Sequence, residues 1–385
     1  MSGHSVIAPS AAHIWGAPSG CRGYVAMAAA YAEDGDSEPA REGTATHEIV
    51  AAMIAAHSRA GIDYPTADLV VGRPASNGVI FDADMYDAAD LYAKDVVNVM
   101  YSSGVMTPGV EQRVTAAAIH ELSAGTPDCF IYDAHRRTLY IWDLKYGFGV
   151  VDVFENWQLI NYYAGIKQTL GINGIDDQSL TVKFRIVQPR AFHRDGPIRE
   201  WLTTGAALRP LVNQLHHGAH EALAPNAATR SGAHCRYCPA RTHCTAAIEA
   251  GVSLYEAAGL PLPVEMSPTA VAAQYTITVR AAAHLKSMAA GLEEQIKSMI
   301  RRGVNVPGYL AQTGYGRERW AAPAADVIKL GDMLNIDLRT GDAVTPAQAK
   351  KLGVQPDVIA AYSERPASGV SIVADDGRKA RAIFT

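Results

Sequence analysis

The sequence predicts an α/β protein in which helices flank a mixed central sheet, with a mainly helical extension behind it. Three observations lead there. Apolar spacing is helical over 44–60 and 82–101, turns to alternation over 110–115, continues as two strands over 128–133 and 138–145, is helical again over 156–170, and is strand-like once more over 180–188. That α-β-β-β-α-β order requires one sheet of mixed direction. From Ser267 onward a long helical spacing takes over. The 385 residues are 48% hydrophobic and 19% charged, which suits a soluble globular chain of two or three domains.

The elements follow in order. Residues 8–31 read as helical, with Ser10 as the cap of a helix through Trp15 and a Gly-Ala-Pro-Ser-Gly turn ahead of Cys21. A polar loop covers 33–41. A helix runs from Thr44 to Ala60 with His47 in its first turns, and a second from Asp82 to Tyr101. Val110–Thr115 alternates as a strand that sets Glu111 and Arg113 on one side. Asp128–Asp133 and Thr138–Lys145 form two more, joined by the turn Ala-His-Arg-Arg. Asn156–Leu170 is a helix ending at Gly171, and Leu180–Gln188 is a strand with Val182, Phe184 and Ile186 on one side.

The chain divides at 260/261. The second part, 261–385, opens at Ser267-Pro268, a cap followed by proline at the first helical position. A long helix over 268–302 carries one largely apolar seam through Val271, Tyr275, Leu285, Leu292 and Ile296, read as packing on its own domain rather than on a second chain. A small α/β end region follows, with a hairpin over Tyr309–Trp320 turning near Gly314-Tyr-Gly316 and a short helix at Thr345-Pro346. The basic residues Arg301, Arg302, Arg317, Arg319, Arg378, Lys379 and Arg381 belong either to a polyanion path or to a solvated surface.

A net charge of −5 and a pI near 6.2 give no global nucleic-acid signal, but a local basic groove suffices to track phosphates. No run approaches the ~18 apolar residues of a membrane span, and the start lacks a signal peptide, so a cytoplasmic location without membrane contact is expected. In a reducing compartment cysteines serve better as metal ligands than as disulfides. Cys235, Cys238 and Cys244 form a C-x₂-C-x₅-C run flanked by His234, Arg236, Arg241 and His243, with Cys21 far upstream. Four thiolates hold either a [4Fe–4S] cluster or Zn²⁺. Cys129, inside Asp-Cys-Phe-Ile-Tyr, reads as a small buried residue.

Asp128 and Asp143 fall at the edges of adjacent strands, where two carboxylates on a rigid sheet suit Mg²⁺ or Mn²⁺. Such an ion polarises a phosphate and acidifies water. Lys145 projects to the same face as Asp143 by strand alternation. His47 completes a metal shell or serves as a cap, and Glu48 beside it is solvated or a further ligand. Glu111 is a metal- or water-binding carboxylate or an ordinary strand residue. Gln158 and Tyr162 share a helix face, where an amide and a phenol reach a phosphate or base edge, or line a half-buried helix. Trp157 and Tyr146 are stacking platforms for bases or core residues.

Gly43-xxx-His47, Glu111, Gly125-Thr-Pro-Asp128, Asp143-Leu-Lys145 and Gln158-xxx-Tyr162, in this order, resemble the PD-(D/E)XK nuclease superfamily, above all its RecB-like branch, which includes the AddB nuclease domain and iron–sulfur exonucleases. Cys21 with Cys235, Cys238 and Cys244 matches the one-plus-three cysteine layout of the iron–sulfur members. The start Ser10-xxxx-Trp15-xxxxx-Cys21 also resembles phage and prophage proteins. The resemblance covers roughly residues 5–250 and implies a restriction-endonuclease-like core with a cysteine clasp. It implies metal ligation by Asp128, Asp143, His47 and the Leu144 carbonyl, a catalytic role for Lys145 with Glu111, and DNA contacts from Gln158 and Tyr162. The implied activity is a Mg²⁺- or Mn²⁺-dependent exonuclease on DNA ends in phage recombination or replication, beside a single-strand annealing or other recombination protein, in the host cytoplasm. Two other readings stand: an end-binding or assembly protein on a nuclease scaffold, and a structure-specific endonuclease.

Overall fold

The strand Thr138–Leu144 is apolar on both faces, and the protein is layered around it. Leu139 and Ile141 belong to one hydrophobic core, while Trp142 and Leu144 belong to another, because successive side chains leave a strand on opposite sides. A strand buried on both faces needs cover above and below. The computed structural model describes residues 5–31, 38–58, 63–174, 177–259, 265–315, 319–320, 324–339, 344–364 and 367–374. It comprises two compact units, Met1–Ala289 and Ala290–Thr385.

The first unit begins with a 3-10 turn at Pro9–Ala11 and the helices α1 (Ala12–Trp15), α2 (Tyr24–Ala30), α3 (Glu38–Ser58), α4 (Ala67–Val70) and α5 (Ala83–Ser103). The strands β1 (Gly109–Val110), β2 (Val114–Thr115), β3 (Ala124–Gly125), β4 (Cys129–Asp133) and β5 (Thr138–Leu144) follow, then α6 (Trp157–Thr169), β6 (Thr181–Val187), β7 (Ile198–Thr204), α7 (Gly205–Leu223), α8 (Thr245–Gly259) and α9 (Pro268–Arg301), within which the first unit ends. Five strands form a mixed sheet in the order β1-β4-β5-β6-β7, in which β5 and β6 run parallel and every other pair antiparallel. The parallel pair follows from the connection, since α6 carries the chain back along the sheet between them. Helices α3 and α5 cover one face through Ile49, Met53, Tyr92 and Val96. Helices α1, α6 and α7 cover the other through Trp15, Leu159, Ile160 and Leu215.

The expected α/β class and mixed sheet are present. The N-terminal segment differs from the expectation: Ser10 caps nothing and lies inside the 3-10 turn, and the helical stretch breaks at Gly16. Gly20 explains the fold-back, because a Cβ there would lie 1.9 Å from the Ile14 carbonyl oxygen, and that close approach lets Cys21 donate its N–H to Ile14 at 2.7 Å. The expected strand Val110–Thr115 is split into β1 and β2. The break is at Glu111, whose φ of 46° leaves the extended region.

In the long helix the apolar seam does not pack on its own domain as expected. Val271, Tyr275 and Leu285 are 50%, 70% and 45% exposed. The division between units falls within this helix, at 289/290, rather than at 260/261. At its end Arg302 is exposed and Arg301 pairs with Glu294 at 3.3 Å.

The second unit holds β8 (Tyr309–Tyr315), β9 (Arg319–Trp320), α10 (Ala324–Leu334), α11 (Pro346–Lys351), α12 (Pro356–Tyr362), β10 (Ser363–Glu364) and β11 (Ala367–Ala374) around Val327, Leu338, Val344, Ala349 and Ile359. The expected hairpin over 309–320 does not form. β8 pairs antiparallel with β11 and β9 with β10. Thr345 caps α11 in a capping box with Gln348. Arg317, Arg378, Lys379 and Arg381 lie outside the described residues, and for Arg319 only the backbone is described. Among the described residues no helix is long and apolar enough to cross a membrane.

Candidate active site

The site begins where β4 and β5 meet. By alternation Asp143 falls on the same face as Leu139 and Ile141, the face covered by α6, and Lys145 continues that side just past the strand. Asp128 immediately precedes β4, and its Oδ2 accepts the Leu144 N–H at 2.6 Å. Gly125 sits where only a glycine fits. A Cβ there would lie 2.5 Å from Pro9 Cγ and 3.0 Å from Tyr162 Cε1.

His47 arrives from α3 on the other face, so both layers reach the same end of the sheet. Its Nδ1 is 3.4 Å from Glu111 Oε1 and 3.6 Å from Asp128 Oδ1. The ligand atoms of His47, Glu111 and Asp128 all lie within 4.8 Å of one another, the one group of three or more such residues among those described. They line an open cleft with Thr44, Glu48, Ala51 and Ser76. Glu111 reaches it from its left-handed conformation while its N–H donates to the Asp128 carbonyl at 3.0 Å. An acidic side chain held at positive φ beside two other ligand-type groups is strain stored at a site. Glu48 accepts the Ser76 N–H at 3.0 Å.

On the α6 side Asn156 caps the helix by accepting the N–H groups of Gln158 and Leu159 at 3.1 and 3.2 Å. That cap fixes Gln158 in the first turn. Lys145 Nζ donates to Gln158 Oε1 at 2.9 Å, and Gln158 Nε2 donates to Tyr162 Oη at 3.2 Å. Lys145 Nζ is also 2.9 Å from Asp143 Oδ2, an ion pair by distance whose angles leave that oxygen without a hydrogen bond. The residues singled out in the sequence therefore meet at one edge of the sheet. Asp143, 2% exposed, turns its carboxylate to Lys145 and stands outside the close triad.

The electrostatics are those of crowded carboxylates under low solvation. Burial, with the neighbouring Asp143, lifts Asp128 to about 7 against the pull of His47, Lys145 and the Leu144 N–H. Burial disfavours the His47 cation, yet Asp128, Glu111 and Asp143 outweigh it and raise the imidazole to about 9. Lys145 is likewise disfavoured by burial and raised by Asp143 and Asp128. A cation inserted among these groups would relieve the repulsion between the two aspartates.

One residue of the site escaped the sequence reading. Tyr92 of α5 is fully buried, its hydroxyl has no hydrogen-bond partner, and burial together with Asp128 pushes it well above the ordinary phenol range. The available signal was a lone phenol inside the small apolar stripe Met85, Ala88, Ala89, Ala93 and Val96. Tyr146 is buried and Trp157 packs against the core, so neither is the exposed platform considered from sequence.

A second cluster lies in the same unit. Cys21, Cys235, Cys238 and Cys244 line one cavity with Tyr24, Arg230 and Arg241. Backbone N–H groups point at two of the sulfurs, Arg230 to Cys21 Sγ at 3.3 Å and Gly232 to Cys235 Sγ at 3.4 Å. Burial pushes Cys238 up to about 11 and raises Cys235, with neighbouring thiols adding to both. Cys129 is fully buried in β4, as expected.

The family model described as a protein of unknown function (DUF2800) matches residues 4–374. The chain belongs to the DUF2800 family. No curated protein and no solved structure matches it. In this DUF2800 chain His47, Glu111, Asp128, Asp143, Lys145, Gln158 and Tyr162 converge at one edge of the sheet.

Proposed function

We propose that the chain is a divalent-metal-dependent deoxyribonuclease with a PD-(D/E)XK core, working in the cytoplasm on DNA ends during recombination or replication beside a single-strand annealing or similar protein. One observation carries this: His47, Glu111 and Asp128 come within 4.8 Å of one another at the sheet edge where Asp143 and Lys145 pair. One imidazole among carboxylates is a donor set for Mn²⁺ or Mg²⁺. The repulsion that lifts Asp128 is what such an ion removes.

Asp128, Asp143, His47 and the Leu144 carbonyl would hold the ion, with Glu111 as a further ligand or a water-binding group. When bound, it would withdraw charge from a phosphodiester and acidify the attacking water. Lys145, steered by Asp143 and Gln158, places an ammonium where negative charge grows on the phosphate. The Gln158 amide and Tyr162 hydroxyl, already linked, supply neutral hydrogen bonds to the DNA backbone.

Cys21, Cys235, Cys238 and Cys244 line one cavity, and their one-plus-three spacing in the chain favours an iron–sulfur cluster there, with zinc as the alternative. Backbone N–H donors on the sulfurs suit a bridged cluster as well. Its role would be structural, closing the long loop between Cys21 and Cys235 and fixing the N-terminal segment on the core.

Anaerobic purification with iron, sulfide and zinc analysis, then digestion of end-labelled linear and closed circular DNA, tests both halves. The expected result is about four iron per chain and degradation of the linear substrate alone. Cutting of the circle would make the protein an endonuclease. Intact substrates with metallated protein would reduce it to a DNA-binding scaffold.

A further inference from the structure

The chain contains seven phenylalanines, six of them among the described residues and the seventh, Phe384, outside them. Phe81, Phe130 and Phe184 are buried, whereas Phe148, Phe154 and Phe192 are 59%, 59% and 93% exposed. All three exposed ones stand on two loops, the β5–α6 loop and the β6–β7 hairpin. These loops leave the carboxyl ends of the parallel strands β5 and β6, the edge that carries Asp143 and Lys145. An isolated exposed apolar residue is ordinary, but three confined to one functional edge are not.

The two loops are built to hold their shape. Gln188 is fully buried, and its Nε2 donates to the Gly147 and Gly149 carbonyls at 2.9 and 2.8 Å while its Oε1 accepts the Val151 N–H at 3.0 Å. Arg199, also buried, donates to that same oxygen at 2.7 Å and to the Val151 carbonyl at 2.9 Å. The loop that presents Phe148 is therefore fixed from below by a side chain of the other loop. Arg190 completes the link: its guanidinium lies 4.1 Å from the Phe148 ring centre and 4.4 Å from that of Tyr146, and it pairs with Glu42 of α3, the helix that supplies His47. Phe192 stands in the β6–β7 loop, in sequence between Arg190 and Arg194.

We propose that Phe148 and Phe192 form a stacking platform for unpaired bases, so that the strand presented to the site is single-stranded DNA or the frayed end of a duplex. The inference rests on the nuclease reading for its choice of ligand. Exposed aromatic rings interleaved with arginines are the chemistry that binds single strands without regard to sequence, the rings taking the bases and the guanidinium groups the phosphates. Phe154 is a poorer member, because its ring packs edge-on against Trp201 at 5.2 Å. A protein ligand is the competing occupant, and the interleaved arginines beside a phosphodiester-type site favour DNA.

The test measures binding of the full-length protein, with EDTA present, to a thymidine 20-mer, an abasic 20-mer of the same backbone, and a blunt duplex. Wild type should prefer the thymidine strand to both others. Phe148→Ala and Phe192→Ala should each weaken it about tenfold, the order of one lost base stack, without changing the abasic affinity. Phe148→Trp should retain the preference, and Tyr275→Ala, which removes another exposed aromatic, should not alter it. Phe192 packs on so little that its variant reports even if Phe148→Ala lowers the melting temperature. Equal wild-type affinity for thymidine and abasic strands, a preference for blunt duplex, or unchanged binding by Phe192→Ala overturns the platform. Cleavage in Mn²⁺ is scored separately: a protein that cleaves but ignores bases keeps the nuclease reading and loses the platform, and one that reads bases but never cleaves does the reverse.

Discussion

Asp128 accepts the Leu144 N–H at 2.6 Å, which ties the start of β4 to the end of β5 and sets the spacing of the two aspartates. The bond makes Asp128 both a strut and a ligand. Asp128→Asn keeps an acceptor for that N–H but removes the charge lifted to about 7 by burial. In chelator the variant should melt no lower than wild type, as expected of a site that trades stability for function. On adding Mn²⁺, wild type should gain stability by mass action, about 2.7 kcal/mol at a hundredfold excess over Kd, and Asp128→Asn should not. Equal shifts in thermal denaturation would remove Asp128 from the metal shell.

The Asp143–Lys145 pair gives a second prediction. Lys145→Ala leaves a carboxylate that is 2% exposed without its cation. Breaking a buried pair costs about 3–5 kcal/mol, and the partial exposure of the lysine reduces this to roughly 1–3 kcal/mol. Asp143→Ala combined with Lys145→Ala should recover part of the loss, because no bare charge remains. A double-mutant cycle by urea denaturation measures it, and strictly additive costs would show the pair to be uncoupled.

Asp177 is held in an acid-sensitive cluster of pairs. It pairs with Lys167 and, at 2.8 Å, with Arg209, and although burial opposes them these partners hold its carboxyl below the usual range. A folded value below the unfolded one means that the stabilisation is fully present above the unfolded value of 3.8 and fades as pH falls through the folded value. Asp177→Asn should therefore be less stable than wild type at pH 7, by about 1 kcal/mol. The gap should narrow only below pH ~4. A gap constant down to pH 2 would contradict this.

Gly125→Ala should act on Tyr162 through contact rather than through backbone strain. The new methyl would meet Pro9 and the Tyr162 ring at 2.5 and 3.0 Å. Overpacking of this kind costs about 1–3 kcal/mol. Thermal melting and the cleavage rate should fall together, and a normal melt with a normal rate would mean that Pro9 yields freely.

Much of the core was legible because its signals were local. The apolar run of Thr138–Leu144, the helical spacing after Asn156 and the turn at 134–137 each specify an element without distant help, and each element appears within a residue or two of the expected place. β7 and α7 were not read. The strand Ile198–Thr204 lies at a sheet edge with little alternation, and Pro210 inside α7 argues locally against a helix that tertiary packing of Leu208 and Leu215 overrides. The pairing of β8 with β11 joins segments more than fifty residues apart, which no short-range pattern encodes. At the site, Asp143 and Lys145 were legible through strand alternation. The meeting of His47 with Glu111 depends on two faces of the sheet, and Tyr92 on burial alone.

The most direct test of the central claim is nucleotide release from end-labelled linear DNA in Mn²⁺, measured for wild type and for Asp143→Ala shown to be folded. Wild type should release nucleotides until chelator is added, and the variant should be slower by at least about a thousandfold, the order lost with a principal electrostatic element. Release at the wild-type rate by Asp143→Ala, or none by fully metallated wild type on any DNA end, would contradict it.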